Sequence, residues 1–170
     1  ETGHVGAFEV LLALALTETS LLPAAIGGGL RPSLVLIATS VWVALRGMDG
    51  LFWVFLGGFM LDLTSNLPVG LTSLSLLLGN VVATIVDRAP IPSATVRAST
   101  WVALVTVVSY GLSIAGMAIS GLDVDVVYAM TNVILPLLVI NPALAVIAHA
   151  ALNQINLRQR RREAGRTIAL

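Results

Sequence analysis

The feature that most constrains this chain is its division into six apolar segments joined by short polar connections. Apolar residues make up 57% of the sequence and charged residues 11%, against about 25% charged in soluble domains. A soluble domain of this length has too little interior to bury so much apolar surface. The sequence therefore predicts an all-α integral membrane protein. The six segments cover residues 7–26, 33–46, 50–62, 68–86, 99–120 and 126–153.

These segments form one predicted transmembrane domain, residues 1–157, followed by a basic tail, residues 158–170. A straight span needs about 20 residues, within a range of about 17–25, and the first, fourth, fifth and sixth segments reach that length. The second and third fall short and are joined by the minimal link Arg46-Gly47-Met48-Asp49. They are expected to be short or distorted spans, or else a re-entrant hairpin covered by the longer helices.

The arginines predict the orientation in the membrane. With six crossings and the C-terminus inside, the inner side receives Arg46, Arg88, Arg97 and the five tail arginines, and the outer side keeps only Arg31. An excess of basic residues marks the cytoplasmic side. We therefore expect a multi-pass protein with both termini in the cytoplasm.

An alternative interpretation of residues 11–16 as a signal-peptide core is disfavoured, because no basic region precedes them and further apolar segments follow.

The basic tail is expected to anchor the end of the chain at the lipid headgroups. Anionic lipid attracts each basic residue near the surface by about 1 kcal/mol. Docking of a cytosolic partner is the alternative, and nucleic-acid binding is not expected for so short a segment without aromatic residues. The arginines concerned are Arg158, Arg160, Arg161, Arg162 and Arg166.

Three acids lie within the apolar segments, where a charge at a helix centre costs about 2.5–3.5 kcal/mol on insertion scales. Asp62, at the outer end of the third segment, is expected to be an interfacial or turn-forming residue near Thr64, or else to pair with another helix or a partner. Glu18, nearer the outer end of the first segment, is expected to be a partnered or interfacial glutamate. Glu9 is expected at the inner interface.

The residues offer no catalytic set. The two histidines, His4 and His149, are far apart, and no His/Asp/Glu spacing resembles a metal site. No Gly-x-Ser-x-Gly elbow or phosphate-binding loop occurs, and the glycines at 27–29 are expected to form a flexible turn. The absence of cysteine excludes disulfides and thiolate metal sites. We expect no enzyme activity and no cofactor, with His149 on a polar face near the inner rim.

Small residues recur four positions apart in the fourth and fifth segments. Such pairs allow the backbones of two helices to approach closely. They are expected to pack helices of this chain against each other, or to receive the membrane helix of a partner. The pairs are Gly79 with Ala83, Gly111 with Ala115, and Gly116 with Ser120.

Four stretches of the chain carry patterns that recur together in one protein family. Residues 17–23 (TETSLLP) are similar to the polar, then Leu-Pro, end of that family's first helix. Residues 31–36 (RPSLVL) are similar to the Arg-Pro-Asp-Leu opening of its second helix. The main signature, residues 57–63 (GGFMLDL) followed by residues 68–71 (PVGL), is similar to its Gly-x-x-x-Asp-Leu, short turn, Pro-x-Gly pattern. Asn141-Pro142 and the Arg-rich end match more loosely. On these stretches the chain resembles the MreD family, the small membrane subunit of the bacterial rod-shape machinery.

The chain departs from the family pattern at two places. Ser33 stands where the family usually has Asp, which removes an acid beside Arg31, and Leu71-Thr72 follows the Pro-x-Gly where Gly-His or similar is usual. The residues carried over as partner-binding or structural positions are Glu18, Arg31, Pro32, Gly57, Gly58, Asp62, Pro68 and Gly70.

The resemblance implies a six-helix bundle similar to the substrate-binding subunits of energy-coupling-factor vitamin transporters, with short or re-entrant second and third helices. It implies a non-enzymatic scaffold in the bacterial cytoplasmic membrane. This scaffold would bind MreC and help couple MreB filaments to RodA and a class B penicillin-binding protein. The alternative is a substrate-binding subunit of a vitamin importer, for which the outer polar residues form a thin set.

Overall fold

The computed structural model describes residues 2–21, 32–65, 68–87 and 93–167, and the side chains of 8–21, 32–65, 68–87 and 93–151. Within these ranges the chain is helical, with turns between helices and no strand, which confirms the predicted all-α class. The predictions for Arg31, Arg88 and the tail arginine side chains lie outside this description. The helices are α1 (Thr2–Leu16, extended by a π-helical turn, Thr17–Leu21), α2 (Leu34–Arg46), α3 (Leu51–Thr64), α4 (Leu71–Val86), α5 (Ala94–Ile119), α6 (Val126–Ala129) and α7 (Leu135–Thr167).

Three described stretches are long and apolar enough to cross a membrane. They are Leu34–Thr64, Ala94–Ile119 and Val126–Ala151. The membrane character predicted from composition is therefore supported. The first stretch contains both α2 and α3, with a 3-10 turn, Gly47–Gly50, between them. It is not one straight helix.

Helices α2 and α3 form an antiparallel hairpin that reverses at Gly47. This glycine has a φ of +71°, which a residue with a side chain rarely adopts. A Cβ added to Gly50 would lie 2.9 Å from Val43 Cγ2, and one added to Gly57 would lie 2.9 Å from Val35 Cγ1. The two arms therefore run side by side in opposite directions.

The arms of this hairpin are short, as the sequence predicts. They contain 13 and 14 residues, or about 20 Å each at 1.5 Å per residue, against a hydrocarbon core about 30 Å thick. Whether they cross the bilayer or re-enter stays a prediction.

Helix α2 lies at the centre of the described bundle. It contacts α1, α3, α4, α5 and α7, and seven of its residues are buried, among them Val35, Val41 and Val43, each fully inaccessible. On α5 the apolar core continues through Trp101, Val102 and Val105. Because lipid is as apolar as these side chains, close packing rather than transfer from water holds the helices together.

The segment from Val126 to Thr167 contains two prolines and stays helical on both sides of each. A π-helical turn, Met130–Ile134, precedes Pro136, whose ring has no N–H and crowds the carbonyl four residues earlier. Pro142 lies inside α7, and its carbonyl accepts a hydrogen bond from Ser99 Oγ at 3.3 Å. Helix α7 continues to Thr167, so the backbone of the predicted basic tail is helical up to that residue.

Successive helices from α2 to α5 alternate in direction. The charged residues near the helix ends therefore fall into two groups, one at each end of the bundle. Leu71 at the start of α4 meets Gly116 near the end of α5, and Gly79 meets Ser109. Arg46, Asp87 and Arg97 therefore lie at one end of the bundle, and Asp62 at the other. Arg97 Nε donates to Asp87 Oδ2 at 2.8 Å, which joins the end of α4 to the start of α5.

Candidate functional site: two acid-capped helix starts and a polar cavity

The carboxylate of Asp62 caps the N-terminus of α4. Its Oδ2 accepts hydrogen bonds from the backbone N–H groups of Gly70 and Ser73, each at 3.0 Å, and its Oδ1 accepts from Thr72 at 2.9 Å. The first N–H groups of a helix have no partner within the helix, and this end carries partial positive charge. Asp62 is 1% exposed. In this structure Asp62 therefore pairs with another helix, which is one of the two interpretations from the sequence.

The glycines of the signature allow this contact. A Cβ added to Gly58 would lie 2.5 Å from the Cα of Ser73, so the backbones of α3 and α4 touch there, one turn before Asp62. Gly70 has a φ of +94°, which turns the chain into α4 at little cost for glycine. Pro68 is exposed, and its carbonyl accepts from Leu71 N at 3.1 Å. The signature residues therefore form one helical corner.

Glu18 has the same capping role at the start of α2. It lies in the π-helical turn after α1, and its Oε2 accepts a hydrogen bond from Val35 N, in the first turn of α2, at 3.0 Å. Ser33 is the N-cap residue of α2, and its Oγ accepts from Leu36 N at 3.3 Å. An acid from the preceding helix thus compensates the N-terminus of both α2 and α4.

A repeated sequence accompanies the two acids, and the sequence interpretation missed it. Residues 19–23 read Thr-Ser-Leu-Leu-Pro and residues 64–68 read Thr-Ser-Asn-Leu-Pro. Each follows an acid closely, directly after Glu18 and two positions after Asp62. The repeat of acid, Thr-Ser-x-Leu-Pro and then a helix is the signal that could have identified Glu18 as a second cap.

A cavity of about 500 Å³ opens between the two capped helix starts. Its wall comes from the end of α1, the starts of α2 and α4, the end of α3 and the C-terminal half of α5. Nine of its fourteen lining residues carry a hydroxyl group and one carries a carboxyl group. The lining residues are Glu18, Thr19, Ser33, Leu36, Leu61, Thr64, Ser65, Thr72, Ser75, Leu76, Ser109, Tyr110, Ser113 and Met117.

Several of these hydroxyl groups donate their proton to helix carbonyls. Thr19 Oγ1 donates to Ala15 O at 2.8 Å, Thr64 Oγ1 to Met60 O at 3.0 Å, and Ser109 Oγ to Ser75 O at 3.0 Å. Thr19 and Thr64 bond the carbonyl one turn earlier, as serine and threonine in membrane helices often do, whereas Ser109 on α5 bonds across to α4. Their convergence on one cavity depends on helix packing.

The remaining predicted positions are distributed through the fold. Gly57 packs on Val35 and Thr39 of α2, and Pro32 is half-buried just before the N-cap of α2. His149 is 6% exposed, so it lies inside the bundle. Glu9 is exposed.

A second buried polar group joins the middle helices. Trp101 Nε1 donates to Asn80 Oδ1 at 3.2 Å, and Asn141 Nδ2 donates to Thr106 Oγ1, also at 3.2 Å. These bonds link α4 to α5 and α5 to α7. Among the described residues, no three His, Asp or Glu side chains are grouped so as to hold a metal ion.

No protein-family model matches this chain, and no curated protein sequence or solved structure does either. The resemblance to the MreD family therefore stays a proposal.

Proposed function

We propose that this chain is a non-enzymatic scaffold of the bacterial cell-elongation complex in the cytoplasmic membrane. In this role it binds MreC and helps couple MreB filaments to RodA and a class B penicillin-binding protein, so that the cell keeps its rod shape. The proposal starts from the four stretches that resemble MreD, of which residues 57–71 are the most specific.

The observation that carries the proposal is that this signature is one structural unit. Gly58 permits the contact between α3 and α4, Asp62 caps α4, and Gly70 makes the turn between them. A chance match to a short pattern would not require its members to cooperate at one corner. The corner gives the resemblance a physical basis, since it holds the outer ends of α3 and α4 in a fixed arrangement.

A scaffold also needs helix surface that its own chain does not cover. The pair Gly111 and Ala115 on α5 supplies such a surface: nothing lies within 4 Å of a Cβ added to Gly111, and Ala115 is exposed. Gly79 and Gly116, by contrast, pack against Ser109 and Leu71 within the chain. Because small residues let a second helix approach closely, the Gly111–Ala115 surface is where the scaffold would receive the single membrane helix of MreC.

Affinity purification of the tagged chain from its native membranes, with mass spectrometry of the proteins recovered, tests the proposal. Recovery of a single-span protein with a coiled-coil domain, together with cell-wall synthesis enzymes, is the expected result. Recovery of a pair of ATPases with a membrane coupling protein, and no cell-wall enzyme, would overturn it.

The second outcome would support a second candidate function, the substrate-binding subunit of a vitamin importer. The polar cavity is the observation that favours it, since small-molecule sites are concave and place a few polar groups so that they converge on the ligand. The composition of the purified complex separates the two candidates.

A further inference from the structure

We propose that the cavity between the starts of α2 and α4 binds a small organic ammonium compound, with its N–H donors directed at Glu18 and at the hydroxyl oxygens of the wall. This inference does not depend on the scaffold role, because it concerns only what the chain itself binds. It rests on the size of the cavity, on the hydrogen-bonding groups that face it, and on its charge.

The cavity has the dimensions of a small-molecule site. Its volume of about 500 Å³ lies within the range of about 300–1,000 Å³ that is usual for ligand pockets. Five helices contribute to the wall, so a ligand there contacts groups that are distant in sequence. Four apolar side chains, Leu36, Leu61, Leu76 and Met117, share the wall with the polar ones. They favour a cation with a carbon skeleton over a hydrated metal ion.

Several hydroxyl groups of the wall already donate their proton within the protein, so they can only accept a hydrogen bond from a ligand. A hydroxyl group has one proton and two lone pairs. The protons of Thr19, Thr64 and Ser109 are committed to carbonyl oxygens of the helices. What these residues offer a ligand is therefore the lone pairs of their oxygens, which suit a ligand rich in N–H groups.

The charge of the wall also favours a positively charged ligand. Glu18 carries the carboxyl group among the residues that line the cavity, and none of those residues is basic. A carboxyl group has about four lone-pair sites, and the groups bonded to Glu18 at the start of α2 are Val35, Ser33 and Leu34. Asp62 directs both carboxylate oxygens at α4 instead. Glu18 is therefore the group that would meet the positive charge of a ligand.

The test measures binding to the full chain, purified and reconstituted in lipid nanodiscs, by isothermal titration calorimetry with subtraction of empty nanodiscs. The probes are three ammonium compounds, each with its neutral hydroxyl counterpart: tyramine with tyrosol, ethanolamine with ethylene glycol, and 1,5-diaminopentane with 1,5-pentanediol. At least one ammonium compound is expected to bind about tenfold more tightly than its counterpart, the difference between a charge-assisted and a neutral hydrogen bond. No ammonium preference in any pair would overturn the proposal.

Three variants assign the binding to the cavity. Glu18→Gln keeps an acceptor oxygen for Val35 N–H and is expected to remove the ammonium preference. Ser113→Leu places a larger side chain in the wall without touching either cap, and is expected to abolish binding while helicity by circular dichroism stays unchanged. Asp123→Asn, at an exposed acid that does not line the cavity, is expected to leave the preference intact. An ammonium preference that survives Glu18→Gln, or that Asp123→Asn removes, contradicts the proposed role of Glu18.

Because the binding assay uses the chain alone, its outcome is separate from that of the scaffold proposal. A chain that co-purifies with cell-wall enzymes and shows no ammonium preference refutes only the ligand. A chain that binds the ammonium compound and recovers no cell-wall enzyme refutes only the scaffold.

Discussion

The backbone N–H of Ser73 donates to Asp62 Oδ2 at 3.0 Å across the corner between α3 and α4. Beside this bond, Gly58 brings the backbone of α3 against the Cα of the same serine. One residue of α4 is therefore fixed by a hydrogen bond to the Asp62 carboxyl group and by direct backbone contact. The corner is stabilised both electrostatically and sterically, and each contribution can be removed separately.

Removal of the Asp62 carboxylate is expected to weaken the fold. Asp62→Ala leaves three N–H groups at the start of α4 without their partner, and the loss of a cap and of buried hydrogen bonds should lower the free energy of unfolding by about 2–4 kcal/mol. Asp62→Asn, which keeps one acceptor oxygen, should have an intermediate effect. Thermal unfolding in detergent measures both. Asp123→Asn, at an exposed acid, is the control, and equal melting of Asp62→Ala and wild type would contradict the capping role.

Gly58→Ala and Gly111→Ala form a matched pair of glycine substitutions. At Gly58 the new methyl group would meet the backbone of Ser73 at 2.5 Å, so α3 and α4 must separate, at about 1–3 kcal/mol for overpacking. At Gly111 nothing lies within 4 Å, and alanine should raise helix stability by about 0.5–1 kcal/mol. In thermal unfolding in the same detergent, Gly58→Ala should have a lower melting temperature than both the wild type and Gly111→Ala. A neutral Gly58→Ala would mean that the two backbones do not touch.

A substitution at Gly70, in the turn before α4, changes backbone strain without changing side-chain packing. Gly70 has a φ of +94°, and nothing lies within 4 Å of a Cβ added there. Gly70→Ala should therefore cost about 1–2 kcal/mol through strain alone. Urea-induced unfolding of the detergent-solubilised protein measures this cost. Pro68→Ala, at an exposed position of the same turn, should cost less, and an equal effect of the two substitutions would argue against strain at Gly70.

The proposed scaffold surface predicts a loss of partner binding. Gly111→Leu places a large side chain where MreC's membrane helix would pack and should reduce recovery of MreC in affinity purification several-fold. The monomer should still fold, because the position is open. Val139→Leu, at a 71% exposed site on α7, is the control for a change in lipid-facing bulk. Undiminished recovery of MreC with Gly111→Leu would place the partner elsewhere.

The α2–α3 hairpin can be located with single cysteines, because the native chain has none. Met48, 60% exposed in the turn, lies at the same end of the bundle as Arg97. With the orientation predicted from the arginines, Met48→Cys should react with a membrane-impermeant thiol reagent from the cytoplasmic side only, and Asp123→Cys from the outer side only. A Met48→Cys that reacts from neither side would indicate a re-entrant hairpin whose turn stays within the bilayer.

Local features of the corner were predictable, and its long-range bonds were not. The unusual position of Asp62 is visible because an acid beside an apolar run must be compensated. Its partners lie 8 to 11 residues later and are backbone N–H groups, which have no sequence signature. The same reason accounts for Glu18, whose partner Val35 lies 17 residues away.

The sequence by itself determined the environment of this protein, its helical class, its short second and third helices, and its expected orientation. These follow from properties that belong to individual residues or short runs: transfer free energies, glycine and proline constraints, and the positions of arginines. Only the tertiary structure decided that Asp62 and Glu18 cap helices, that Gly111 stays uncovered while Gly79 packs, and that nine hydroxyl groups converge on one cavity. These features depend on which helix faces meet, and in a membrane that choice is made by close packing of side chains across helices.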